Sequence, residues 1–118
     1  MAKTYIQQGD VMTYPAPSGG VTAGTPLLIG NLLVIPQETA AQTVSFSGYV
    51  TGVHSVTKAD SQAWTVGALI YWDDTAKNFT TTSTSNYRVG TAAEAVASTA
   101  GLTTGKVRLN GVGVPTGA

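Results

Sequence analysis

Cysteine is missing from the 118 residues, and charge nearly so: six Lys+Arg and six Asp+Glu make up 10% of the chain, with a single histidine. Without cysteine there can be no disulfide framework, thiolate metal site or thiol nucleophile, and redox chemistry gives no clue to the compartment. A formal net charge of zero removes the broad positive field that favours nucleic acid or anionic membrane through counterion release and surface attraction. The sequence therefore predicts no direct nucleic-acid partner and no membrane partner. Long apolar runs are missing too. The longest, Leu27 to Ile35, is broken by Gly30-Asn31 and bounded by Pro26 and Pro36, far short of the roughly 20 residues that span a bilayer. The start of the chain turns polar at Gln7-Gln8-Gly9-Asp10, where a signal peptide needs its apolar region, which predicts an intracellular origin.

The length fits one domain that buries roughly two-thirds of its unfolded surface. Thr, Val and Tyr recur in short runs that Gly, Pro, Asn and Asp punctuate, the pattern of an all-β domain. About eight strands are predicted. Thr4 to Gln7 and Asp10 to Tyr14 lead, and Pro15-Ala16-Pro17 stops them. Pro26–Ile29 and Leu32–Ile35 flank Gly30-Asn31, a pair suited to a two-residue primed turn, so they form a hairpin of two buried strands. Between residues 42 and 50, Val44, Phe46, Gly48 and Val50 alternate with Thr43, Ser45, Ser47 and Tyr49, a half-buried strand. The pattern slips afterwards, which predicts a bulge or bend at Gly48 or Gly52. Ala63–Val66 and Leu69–Trp72 follow, the second leading through a polar six-residue tip, residues 73–78, into Phe79-Thr80-Thr81. Tyr87–Gly90 and Lys106–Leu109 close the system, pointing their charged side chains away from Val and Leu. Thr91 to Ala100 is rich in alanine and admits one short helix. The predicted fold is a compact small β-barrel or β-sandwich with an extended N-terminal arm over residues 1–17, a β-domain over 18–110 and a flexible tail over 111–118.

Motifs that carry chemistry fail one by one. Gly101-Leu-Thr-Thr-Gly105-Lys106-Val107 has three residues rather than four between its glycines, and Val107 stands where a phosphate-binding loop needs a hydroxyl for Mg²⁺. Gly111-Val112-Gly113 has no third glycine at dinucleotide-binding spacing. His54 is the only imidazole, and no Gly-x-Ser-x-Gly elbow accompanies it. Asp73 and Asp74 are adjacent in a strand and point apart, without the spacing of a calcium loop. No catalytic residue, metal site or cofactor is predicted. Trp64, Tyr71, Trp72 and Phe79 gather around one hairpin, as core or subunit-interface residues or, alternatively, as a platform for stacking on sugars or bases. A charge content far below the usual value of about a quarter suits a surface covered by neighbours, and so an assembly component.

The segment Gly67-Ala-Leu-Ile-Tyr71-Trp72-Asp73-Asp74-Thr-Ala-Lys77-Asn-Phe79-Thr80-Thr81, with Arg88-Val89-Gly90-Thr-Ala-Ala-Glu94-Ala95 and Val107-Arg108-Leu109, resembles a family of small tailed-bacteriophage head proteins. The opening Tyr5-Ile6-Gln7-Gln8-Gly9-Asp10 and Tyr14-Pro-Ala-Pro17-Ser-Gly-Gly20-Val21-Thr-Ala-Gly24 extends the similarity over nearly the whole chain. The resemblance implies a capsid decoration, or cement, protein: a non-enzyme that binds the outside of the DNA-filled head as a homotrimer and bridges major capsid subunits. It would be made in the host cytoplasm and reside on the virion. Some family members carry a recombinase label, against which the missing phosphate-binding loop argues. On this reading Tyr5, Ile6, Gln7, Val11 and Tyr14 form a capsid-binding arm that is loosely held until it pairs as a strand. The alternative is a virion-displayed module for carbohydrate or host surfaces that uses Trp64, Tyr71 or Trp72.

Overall fold

The computed structural model describes residues 11–116, and they form nine β-strands and no helix. In chain order these are β1 (Val11–Pro15), β2 (Leu27–Ile29), β3 (Leu32–Pro36), β4 (Ser45–Tyr49), β5 (Thr51–Thr57), β6 (Leu69–Asp73), β7 (Asn78–Thr80), β8 (Tyr87–Ala92) and β9 (Thr104–Asn110). A four-stranded sheet has the order β1-β4-β3-β2 and a five-stranded sheet the order β5-β9-β8-β6-β7, every pairing antiparallel. The end of β5 returns to β7 through a parallel bridge between Lys58 and Phe79, with Ala59 N–H donating to the Phe79 carbonyl at 2.8 Å. That contact draws the outer strands of the five-stranded sheet together, so this half closes as a small barrel.

Two cores fill the molecule. Leu33, Ile35, Val56, Trp64, Ile70, Trp72, Phe79, Val89, Ala92, Val107 and Leu109 pack within the barrel half. Ala16, Val21, Val34, Ala40, Phe46 and Val50 pack under the four-stranded sheet. β3 serves both, because successive side chains point to opposite faces of a strand: Leu33 and Ile35 enter one core and Val34 the other. A strand buried on both faces reads as an unbroken apolar run, and Leu-Leu-Val-Ile is that run. Its hairpin partner β2 is half-buried along its length, less covered than the sequence suggests, because it forms the sheet edge. Gly30 takes a positive φ of 62° at the first turn position, as a primed turn with glycine there requires.

The expected bend falls at Gly52, whose φ is +98°, two residues into β5, just after the chain has passed from the four-stranded to the five-stranded sheet at Val50. Gly48 has a different reason to be glycine: a Cβ there would stand 2.3 Å from Val34 Cγ1. Val44 does not join Phe46, Gly48 and Val50 on the buried face. It precedes β4 beside Thr43, which has a positive φ, and it is exposed. Ala63–Val66 is a single bridge rather than a strand, with Trp64 and Val96 exchanging backbone hydrogen bonds of 2.8 and 2.9 Å. The same bridge removes the helix considered over Thr91–Ala100, since Thr91 and Ala92 end β8 and Val96 is held extended. An isolated ten-residue helix has little to set against such pairing. The six-residue tip shortens to four because Asp73 and Asn78 pair. In the tail Val114 is buried.

Candidate interaction surfaces

The described carboxylates are occupied in holding loops. Asp73 Oδ1 accepts the N–H groups of Thr75 and Ala76, both at 3.0 Å, which shapes the β6–β7 turn. Asp74 Oδ1 accepts from Trp72 Nε1 and Lys77 Nζ, again at 3.0 Å. Partial burial would raise the Asp74 carboxyl, but those two hydrogen bonds and the Lys77 charge outweigh it and hold the group below its ordinary value. Asp60 Oδ1 accepts from Ser61 and Gly101 N–H at 2.8 Å each. Glu38 accepts from Ser47 N–H at 3.0 Å, and Glu94 meets Lys106 at 3.3 Å. No group of three or more His, Asp or Glu that could hold a metal occurs among the described residues. His54 donates Nε2–H to the Thr51 carbonyl at 2.9 Å and rests its ring 5.2 Å from that of Tyr49, which occupies the imidazole structurally. It borders a cleft of about 380 Å³ floored by Ile35, Val56, Trp72 and Phe79.

The aromatic quartet sits inside the fold. Trp64 and Trp72 are each 1% exposed, Phe79 0% and Tyr71 6%. Trp72 packs edge-on to Phe79 with ring centroids 5.0 Å apart. Trp64 donates Nε1–H to Gln62 Oε1, which also accepts from Thr81 N–H. Trp64, Trp72 and Phe79 belong to the barrel core, whereas Tyr71 is covered on the opposite face of β6; in the single chain none of the three rings considered for stacking, Trp64, Tyr71 or Trp72, is exposed as a stacking platform needs.

Of the arm residues, Tyr5, Ile6 and Gln7 lie outside the described residues. Val11 and Tyr14 belong to β1, so this part of the arm is paired within the chain itself, in register with β4 from Val11↔Tyr49 to Pro15↔Ser45. Ala16 N–H donates to the Val44 carbonyl, and the two-residue period of antiparallel bonding gives Met12 and Tyr14 the same inward phase. Val11, Thr13 and Pro15 then turn their backbone groups to the side of β1 that no other described strand covers. The Thr13 and Ser47 hydroxyls meet at 3.2 Å, as expected of the closer, non-hydrogen-bonded pairs. Proline at an outward position removes a donor that another strand would use.

Cross-strand partners share a face of the sheet, and the registers of the barrel half collect one outward row. Val53 pairs Arg108, Arg108 pairs Thr91 and Thr91 pairs Leu69. Val53 is 59% and Leu69 49% exposed. The register shift between Ile70 and Tyr71 makes Val89 an extra residue in β8, and Arg88 pairs Tyr71, two positions along β6 from Leu69. Arg88 therefore joins Arg108 and Lys106 on the same face. The alternation of Lys106 and Arg108 with Val107 and Leu109 is visible in the sequence; the cross-strand row, set by long-range register and a bulge, is not.

The chain matches the family model described as phage cement protein over residues 6–109. No curated protein and no solved structure matches it. A match over that much of its length makes the chain a member of the phage cement protein family.

Proposed function

We propose that this cement protein attaches to the outer surface of the phage head as an oligomer, with the homotrimer as the expected form, and bridges major capsid subunits so that the DNA-filled shell resists opening. Family membership over residues 6–109 carries the reading. A fold whose described carboxylates and imidazole are committed to loops and turns agrees with a structural role, as does the group of exposed apolar side chains at Val44, Tyr49, Val53, Val66 and Leu69. No helix among the described residues is long and apolar enough to cross a membrane.

The physics of such a role is linkage. A protein that binds the closed shell and not the opened one stabilises the closed state by about 2.7 kcal/mol per site when its free concentration is a hundredfold above Kd. Repetition across a symmetric lattice, and within an oligomer, turns a modest contact into durable attachment through effective concentration. The segment that contains Tyr5, Ile6 and Gln7 precedes β1 in the sequence, and we propose it as an additional attachment that pairs with the capsid by strand addition. Purified heads lacking the protein should release DNA at lower temperature than heads re-decorated with it. Deleting residues 1–10 should weaken decoration while leaving the urea unfolding midpoint of the β-domain unchanged. Equal DNA release with and without the protein overturns the cement role, and full decoration by the truncated chain overturns the arm.

A further inference from the structure

We infer that the outward face of the five-stranded sheet, centred on Arg108 and Arg88 and flanked by Val53 and Leu69, is the surface that meets the shell, and that it recognises an apolar capsid patch bearing carboxylates. This rests on the cement reading and names the face that performs it.

The charge pattern is the first argument. Every described carboxylate already has a partner inside the fold: Glu38 and Asp60 hold backbone N–H groups, Asp73 holds two, and Asp74 and Glu94 hold lysines. Among the described cations, Lys77 and Lys106 are those lysines' side of the same pairs, and Lys58 is buried against the Ala59 carbonyl. Arg88 and Arg108 are joined to no described residue by a side-chain hydrogen bond or ion pair, and both lie on this face. In a second copy of the chain each described carboxylate already has one of its two oxygens engaged, so it offers a guanidinium fork a shared rather than a free pair of acceptors. A foreign protein surface is not so limited, and the guanidinium fork is built for bidentate pairing with free carboxylates.

Shape supplies the second argument. Val53, Arg108, Thr91 and Leu69 stand on four neighbouring strands, so the row spans about 14 Å at the ordinary strand spacing. Two exposed aliphatic side chains around an arginine make a small interface centre, in which arginine and apolar contact are enriched relative to the remaining surface. The β1 edge is a poorer docking site, because Pro15 withholds a donor in its outward phase.

The test uses heads purified without the protein, the full chain, and co-sedimentation at several salt concentrations, with folding followed by tryptophan emission. Arg88→Glu/Arg108→Glu should lower apparent head affinity at least tenfold at low salt and flatten its salt dependence. Arg88→Gln/Arg108→Gln, a milder change to the fold, should lose affinity in the same direction. Glu38→Gln, in the bend that follows β3, should bind as the unaltered chain does. If the unaltered chain decorates heads and both arginine variants match it at every salt concentration, the face is wrong while the cement reading stands. Variants that bind heads normally but fall to smaller species in sedimentation velocity assign the face to self-contact and overturn the inference. An unaltered chain that never sediments with heads removes the cement reading and this inference with it.

Discussion

Gly105→Ala tests how tightly the barrel half is packed. Gly105 stands in β9 opposite Val56, and a Cβ added there would lie 2.5 Å from Cζ3, 2.8 Å from Cε3 and 3.1 Å from Cη2 of Trp64. Carbon atoms attract best at about 3.5–4.0 Å, so the indole would have to withdraw by about 1 Å. It has little freedom to do so. Trp64 is buried in the barrel core, its backbone is bridged to Val96, and its Nε1–H is fixed at 3.0 Å on Gln62, whose Nε2–H donates in turn to Thr80 Oγ1 at 2.9 Å. Overpacking costs about 1–3 kcal/mol, and each weakened hydrogen bond adds up to about 1 kcal/mol. Replacing glycine in a strand returns about 0.5–1 kcal/mol. The net expectation is a loss of about 1–3 kcal/mol in urea unfolding followed by circular dichroism. Trp64→Phe, which removes the ring atoms in conflict, should make the double substitution milder than the sum of the singles by at least about 1 kcal/mol, the signature of direct contact. A Gly105→Ala protein as stable as the parent, or strictly additive effects, would refute this account of the core.

Lys58→Met should raise the unfolding free energy by about 1–3 kcal/mol, because an ammonium buried against one carbonyl, Ala59 at 2.6 Å, pays desolvation that an apolar chain of similar length does not; denaturant titration of both proteins checks it. Asp74 is held below its ordinary value in the folded state, so its contribution to stability is present above the unfolded carboxylate range near pH 4 and is lost as pH falls through the lower folded value. Asp74→Asn should therefore cost stability at pH 7 and narrow to no difference in strong acid, as read by melting temperature across pH. Pro15→Thr restores a donor on the outward phase of β1 and should produce concentration-dependent larger species in sedimentation velocity, with an unfolding free energy within about 0.5 kcal/mol of the parent.

Local signals in the sequence proved sufficient where the structure is local. Gly30-Asn31 between two apolar runs produced the β2–β3 hairpin, and the alternation in Lys106–Leu109 produced the two faces of β9. The all-β class followed from the same turn spacing. Thr91–Ala100 went the other way: its alanines favour a helix by propensity, yet Trp64 needs a backbone partner and Val96 supplies it. Pairing with a residue 32 positions away, from Trp64 to Val96, leaves no trace in a short window. Val44 illustrates the same limit on a smaller scale, since parity alone grouped it with Phe46 while it lies in the turn before β4 and is exposed. The arginine face was hidden for a stronger reason. Arg88 joins Arg108 through one register and one bulge, and neither can be read before β6, β8 and β9 are known to be neighbours.

The two cores bear on how such a module could carry load between shell subunits. β3 gives Leu33 and Ile35 to one core and Val34 to the other, so separating the sheets means unpacking both at once. Tension entering before Val11 passes along β1 to β4 through five paired positions and then to β3 through Ile35↔Tyr49 and Pro36↔Gly48, before reaching the barrel half. If the arginine face is the second anchor, the pull runs from one end of the four-stranded sheet to the far wall of the barrel. Every link on that path is then a hydrogen-bonded ladder or a packed core, with no hinge between two independent domains. A rigid path lets a small rise in subunit spacing meet resistance immediately, whereas a flexible linker would extend first. This gives a physical reason for spending the carboxylates on loop closure: Asp60, Asp73 and Asp74 fix turns that would otherwise yield, and among the described residues the cations without such a role are Arg88 and Arg108.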